Sequence, residues 1–210
     1  MSDAGTITAQ TALAWLVATW PRRLVLAVLL LVPVLVLALG GFRAADPPPR
    51  DVAAGMPTDT GAYLVVPHSY FVSDEIDAYG LEDGQTWVGV VVDLTNQGPE
   101  PIYLTFNDKT FRLGDEVAAA DDSVYEAMRL DLGARLGDAQ PGLTYPVALL
   151  WRAEAMPDPP AELTLTMQRT VWTEWSIEAG YYTWNATADS YDVGLPLTEA
   201  PPQILAEEDE

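Results

Sequence analysis

Two hydrophobic patterns divide this chain. From Leu24 to Phe42 the sequence reads LVLAVLLLVPVLVLALGGF, nineteen residues without a charge. At the helical rise of ~1.5 Å per residue this run covers ~28 Å, close to the hydrocarbon thickness of a bilayer. It predicts a transmembrane helix over 24–42, with Pro33 as a tolerated kink at mid-span. From residue 62 onward the period falls to two. In Trp87–Thr95, WVGVVVDLT, residues Val88, Val90, Val92 and Leu94 share one face and Gly89, Val91, Asp93 and Thr95 the other, the alternation of a half-buried strand.

The same period returns at Ile102, Leu104 and Phe106. With Asn107-Asp108-Lys109-Thr110 as a loop into Phe111-Arg112-Leu113, it predicts a hairpin. Further strands are expected at 63–72, 144–151, 163–172 and 191–197; in 163–172, Leu163, Leu165, Met167 and Val171 fall on one face. The stretch 121–136, DDSVYEAMRLDLGARL, breaks the rule. Val124, Met128 and Leu132 recur at helical spacing behind a capping Asp121, Asp122 or Ser123, so a short helical insert is expected there. Six or seven short strands in about 140 residues predict a mainly β fold, an immunoglobulin-like antiparallel β-sandwich, with a small barrel as the alternative.

Punctuation sets the expected domains. Residues 1–23 form a short N-terminus with an interfacial segment, in which Trp15 and Trp20 suit a water–lipid boundary. Residues 24–42 are the span, and 43–61, RAADPPPRDVAAGMPTDTG, read as a proline-rich linker. Extended at ~3.1 Å per residue, that linker could hold a domain ~50 Å from the membrane. The sandwich is expected over 62–199 and an acidic tail over 200–210. Arg22 and Arg23 precede the span and Arg43 and Arg50 follow it, a tie in positive charge. The short N-terminus and the long acidic domain favour the N-terminus inside and the sandwich outside the cell. A retained signal anchor is favoured by the length of the run. The alternatives are a signal peptide cleaved at Ala38-Leu39-Gly40 and a twin-arginine signal built on PRRLVLA.

Charge narrows the partners. From Asp51 onward there are 29 acidic and 6 basic residues, a net charge of −23. Such a field repels nucleic acid and anionic lipid headgroups. With no cysteine, disulfides, thiolate metal sites and a cysteine nucleophile are excluded. His68 is the single histidine, too few for a histidine-rich metal site, and a solvent-facing or backbone-bonded role is expected of it. No G-x-S-x-G, H-E-x-x-H, S-x-x-K or G-x-x-x-x-G-K occurs, and no catalytic site or cofactor is expected. The acidic pairs Glu82–Asp83, Asp115–Glu116 and Asp121–Asp122 and the group Asp74, Glu75 and Asp77 lack the spacing of a twelve-residue calcium loop. In so acidic a chain no glycosidase-like carboxylate pair can be singled out.

The strongest candidate surface is 171–191, VWTEWSIEAGYYTWNATADSY, with six aromatic residues in twenty-one. Trp172, Trp175, Tyr181, Tyr182 and Trp184 are candidate partner-binding residues, because aromatic rings bury much area at low entropic cost. Tyr191 completes the six, and strand periodicity cannot place all of them inside. Asn185-Ala186-Thr187 is formally a glycosylation sequon, read here as accidental.

The stretch WVGVVVDLTNQGPEPIYL resembles the central strand–turn–strand of telokin-like, immunoprotective-type extracellular domains on Gram-positive surface proteins, and Pro141-Gly142 before Val147–Trp151 is similar to their second half. The resemblance implies a sandwich outside the cell behind an N-terminal anchor, and no catalytic residues. Together these readings predict a non-enzymatic, membrane-anchored protein. It would serve as an accessory or interaction subunit of a cell-envelope or transport assembly, embedded in the lipid bilayer through 24–42. The alternative is a ligand-binding module for envelope polysaccharide or calcium.

Overall fold

The computed structural model describes residues 20–21, 24, 27–29, 31–32, 47–76, 80–103, 110–120, 123–174, 180 and 182–205. The chain forms two compact units, Met1–Ala45 and Asp46–Glu210. Described residues of the first are helical, and the large apolar ones among them are exposed. Among the described residues no helix is long and apolar enough to cross a membrane. Most of the run 24–42 lies outside them.

The second unit is a mainly β sandwich. Its strands are β1 (Arg50–Val52), β2 (Thr58–Asp59), β3 (Tyr63–Ser73), β4 (Gln85–Asn96), β5 (Ile102–Tyr103), β6 (Phe111–Leu113), β7 (Glu126–Arg129), β8 (Ala134–Arg135), β9 (Asp138–Ala139), β10 (Thr144–Glu154), β11 (Glu162–Glu174) and β12 (Tyr182–Pro196). One sheet has the order β1-β12-β11-β6 and the other β2-β3-β4-β10-β7-β8, while β5 and β9 pair separately. Among the described strands every pairing is antiparallel except β1 with β12, and the isolated Tyr70–Leu197 bridge is also parallel.

The alternation in β4 explains the layering. Val88, Val90, Val92 and Leu94 are buried in the main core with Val147, Leu149 and Trp151 of β10. Leu163, Leu165 and Met167 of β11 and Val193 and Leu195 of β12 face them from the other sheet. The opposite face of β4 is also covered. Trp87 packs with Phe71, Ala148, Leu150, Met128 and Ile204 in a second, smaller cluster. Burial on both faces is why β10 reads as a near-continuous apolar run, YPVALLW.

Two bulges reset the side-chain phase. In β3 the pairing with β4 shifts between Pro67 and Ser69, so Tyr63 and Val65 point into the main core before it and Tyr70 after it. His68 is the unpaired extra residue, placed directly after a proline that cannot donate to the ladder. It is exposed, and its Nε2 lies 2.9 Å from Asp93 Oδ2, a carboxylate rather than a backbone group. In β11 a shift between Gln168 and Thr170 turns Thr170 inward and leaves Val171 exposed, although simple alternation puts Val171 with the core residues.

Four expectations are corrected. Residues 121–136 form no helix where described: 126–129 and 134–135 make the β7–β8 hairpin. Gly133, at φ +61, closes its turn, and Gly133 N donates to Arg129 O at 2.9 Å. Of the helically spaced trio, Val124 lies in the main core, Met128 in the second cluster, and Leu132 is exposed. The described ends of the hairpin expected between Ile102 and Leu113 pair elsewhere, β5 with β9 and β6 with β11. Leu104 and Phe106 lie outside the described residues.

The expected linker is shorter than 43–61. Arg50–Val52 pairs with β12 and Thr58–Asp59 with β3, so the sandwich begins near residue 50. Pro47–Pro49 lack the N–H that would extend this pairing backward. The expected tail also starts late. Leu197 bridges Tyr70, Thr198 N donates to Tyr70 O at 2.8 Å, and a short 3-10 turn at Pro202–Ile204 buries Ile204 against the second cluster. Residues 206–210 lie outside the described residues.

Candidate functional site: an aromatic arm

Strands β11 and β12 are the longest in the molecule as described, at 13 and 15 residues. Their neighbours stop early. β6 reaches only 165–167 of β11, and β1 only 191–193 of β12. Beyond the bulge, residues 170–174 and 182–186 therefore continue as a two-stranded arm with no further strand beside it among the described residues.

The arm's root is held by side chains that replace lost ladder bonds. Gln168 Nε2 donates to Thr187 O, and to Asp189 O at 3.3 Å. Thr187 Oγ1 donates to Arg169 O at 3.1 Å and accepts from Asp189 N at 3.1 Å. Below it, Thr170 N donates to Thr60 O at 2.8 Å, its hydroxyl donates to the same oxygen at 3.0 Å, and Ala62 N donates to that hydroxyl at 3.1 Å. A Cβ on Gly61 would stand 1.9 Å from Thr170 O, so this close approach requires glycine. These contacts tie the start of β3, in one sheet, to the arm root in the other.

Register places three of the candidate aromatics, Trp172, Tyr182 and Trp184, on one face. Trp172 is directly opposite Trp184, and Glu174 opposite Tyr182. Trp172 and Trp184 have ring centroids 5.3 Å apart at 56°, and Trp172 and Tyr182 are 6.1 Å apart at 15°. Cross-strand ring pairs of this kind stabilise a ribbon by about 0.5–1.5 kcal/mol each. The other face carries the exposed Val171 beside Thr173, Thr183 and Asn185, and Asn185 Nδ2 donates to Thr173 Oγ1 at 2.6 Å.

Burial grades along this ladder. Trp184 packs against the end of the main core and, with Tyr63, Ile102, Thr110 and Thr170, lines a cavity of about 270 Å³. Trp172 is half-buried, and Tyr182 is 46% exposed. Trp184 is thus partly structural, whereas Trp172 and Tyr182 are presented outward. Trp175 and Tyr181 lie outside the described residues. Tyr191 sits apart from the ladder, half-buried against the core, with the Arg50 guanidinium 6.0 Å from its ring centre.

The acidic pairs gather into nothing comparable. Among the described residues no three His, Asp or Glu side chains come together as metal ligands. Glu116 accepts from Thr164 Oγ1 at 2.8 Å, and Asp192 from Thr166 Oγ1 at 2.7 Å, along a shallow groove on the outer face of the four-stranded sheet. Asp77, Asp121 and Asp122 lie outside the described residues. Among the described carboxylates Glu126, which sequence patterns did not single out, is buried beside Arg135. Its side chain is 6% exposed, Oε1 meets Arg135 Nε at 2.5 Å, and Oε2 has no hydrogen-bond partner. Burial raises its pKa above the usual carboxylate value, against the opposing pull of Arg135.

No protein-family model and no curated protein matches the chain. Among solved structures it is similar to an uncharacterised β-sandwich protein from Clostridium difficile, at 10% identity, with 72% of this chain and 97% of that one covered and a TM-score of 0.36.

Proposed function

We propose that this is a non-enzymatic, membrane-anchored protein with an immunoglobulin-like sandwich outside the cell, and that its aromatic arm is a contact surface. It would act as an accessory or interaction subunit of a cell-envelope or transport assembly. One observation carries the contact surface: Trp172 and Tyr182 stack on an arm that no neighbouring strand flanks among the described residues. Rings held at the edge of a core, and not spent filling it, are the usual anchors of interfaces. The uncharged run 24–42 supports a transmembrane helix, and the net charge of −23 beyond it supports a solvated exterior domain.

The absence of native cysteine makes the test direct. Single cysteines at Asp158 and Glu174 are labelled on intact cells with a membrane-impermeant maleimide that carries a crosslinker. Labelling at both sites, with a discrete crosslinked band from Glu174→Cys alone, is the expected result. No labelling at either site until the cells are lysed would sink the exterior location. A second reading, a module for envelope polysaccharide, draws on the near-parallel Trp172 and Tyr182 rings, on which a sugar could stack. It predicts a melting-temperature rise with the glycan, because binding only the native state stabilises it.

A further inference from the structure

Open edges decide what a sheet can still pair with. The outermost strands of the two sheets are short, β1 and β6 with three residues and β2 and β8 with two, and each carries an Arg or an Asp. Where a longer strand outruns such a cover, backbone groups from elsewhere close its edge. Gly55 N and Thr198 N donate to Pro67 O and Tyr70 O of β3, and Leu130 N and Ala120 N to Pro146 O and Arg152 O of β10. On β11, Gln168 N and Thr170 N donate to Thr110 O and Thr60 O. Edges kept short, charged or covered do not add further strands.

β12 is the exception. Before its pairing with β1 at 191–193, residues 182–190, YTWNATADS, have no backbone partner on the side away from β11 among the described residues. They carry one charge, Asp189, and it is held between Arg50 at 3.5 Å and Arg169 at 3.6 Å. Register fixes which groups this edge offers. Thr170 N points to Thr60, away from β12, and opposite residues of an antiparallel pair turn their N–H and C=O groups either both inward or both outward. Ala186, opposite Thr170, therefore directs its N–H and C=O to the open edge, and alternation adds Trp184 and Tyr182, opposite Trp172 and Glu174. Thr183 and Asn185 direct theirs to β11. The open hydrogen-bonding groups and the aromatic ladder thus share two residues, Tyr182 and Trp184.

We infer that the β12 edge at residues 182–186 takes up an extended segment of a partner protein as an added strand. This rests on the contact-surface reading above and names the form in which the partner binds. Main-chain bonds to Tyr182, Trp184 and Ala186 hold the segment, and its alternate side chains lie beside the rings. Charge selects the segment. The net charge from Asp51 onward is −23, and Glu174 stands opposite Tyr182 at the outer end of the edge, so the fitting segment has an uncharged alternating core flanked by Lys or Arg. A second copy of this chain is equally acidic and is repelled.

The test uses the full chain in detergent micelles, with Glu174→Cys joined by a disulfide to the probe peptide Cys-Gly-Gly-Lys-Thr-Val-Thr-Val-Thr-Lys. The tether brings the peptide to an effective concentration of about millimolar, so pairing does not depend on the partner's own sequence. Amide hydrogen exchange is read residue by residue by nuclear magnetic resonance. Exchange at Tyr182, Trp184 and Ala186 should slow by about tenfold or more, with no change at Thr183 and Asn185. The same peptide N-methylated throughout its Thr-Val core should slow none of them. No slowing at the three amides with the unmodified peptide would overturn strand addition. Equal slowing with Glu in place of both Lys residues would overturn the charge selection. Slowing without any peptide that grows with protein concentration would make a second copy the occupant and overturn the partner segment.

A second variant separates strand addition from the contact surface itself. Ala186→Pro removes an edge N–H and leaves the pairing with β11 intact, so its urea midpoint should stay close to the parent's. Combined with Glu174→Cys on intact cells, it should lose the crosslinked band. A band retained in Ala186→Pro would overturn strand addition and leave the contact surface standing. No band from Glu174→Cys alone would remove the contact-surface reading.

Discussion

The Phe71 ring fills the space above Gly89 on the neighbouring strand: a Cβ at Gly89 would lie 2.0 Å from Phe71 Cζ. The two residues are Cα partners in the β3–β4 pair of the six-stranded sheet. A buried aromatic in place of the glycine's missing side chain is why the second face of β4 can be apolar with a glycine in it. Gly89→Ala should cost about 1–3 kcal/mol by overpacking, read as a lower urea midpoint with an unchanged slope. An unchanged midpoint would mean that Phe71 is free to move aside.

Thr170 ties the arm root to the opposite sheet through its hydroxyl, which bonds both Thr60 and Ala62. Thr170→Val keeps the shape and leaves Ala62 N without its acceptor, so a loss of about 1–3 kcal/mol is expected. Thr173→Val on the exposed face of the same strand should lose well under ~1 kcal/mol. Equal losses at the two sites would contradict the tie.

The C-terminal segment belongs to the fold. Ile204 is buried to 1% exposure over the second cluster, and Leu205 bridges Ile76. Ile204→Ala should destabilise by about 2–4 kcal/mol, and deletion from residue 198 should expose Phe71 and Trp87 to a hydrophobic dye. Native-like stability after that deletion would show the segment to be a passive tail.

Glu126 gives a pH dependence of definite sign. Its pKa is raised in the folded state, so the folded protein holds the proton more tightly than the unfolded chain. Its contribution is therefore neutral at low pH and becomes unfavourable as pH rises through the ordinary carboxylate value and on to the raised one. Glu126→Gln should gain stability relative to the parent as pH goes from about 4 to about 7. A gap that narrows over that range would mean that Arg135 outweighs burial.

The sequence is most legible where one physical demand acts alone. The alternation of Val88, Val90, Val92 and Leu94 marks β4 because that face meets only the main core. It fails where a second demand intervenes. Bulges at His68 and after Gln168 flip the phase of β3 and β11, and no side-chain pattern within either strand announces the flip. Residues 126–129 mimic a helix because β7 buries both faces, which destroys the period of two. Arg50–Val52 and Thr58–Asp59 are too short for a period; the first is recruited by β12, far along the chain, and the second by β3, which follows it directly. At the candidate site the aromatic excess was plain, and so was the impossibility of burying all six rings. Which of them turn outward depended on the bulge, and thus on Gln168 and Thr187, which composition alone presents as ordinary polar residues.

The most direct test of the account sets the arm against the core. In the full chain, Trp172→Ala with Tyr182→Ala is compared with Leu165→Ala for urea stability and for contact made at a Glu174→Cys probe. The account predicts that the double variant loses only about 1–2 kcal/mol and all of the contact. Leu165→Ala should lose about 2–5 kcal/mol and keep the contact wherever it remains folded. A double variant as unstable as Leu165→Ala, or one that retains the contact, would show that these rings serve the core and that the contact surface lies elsewhere.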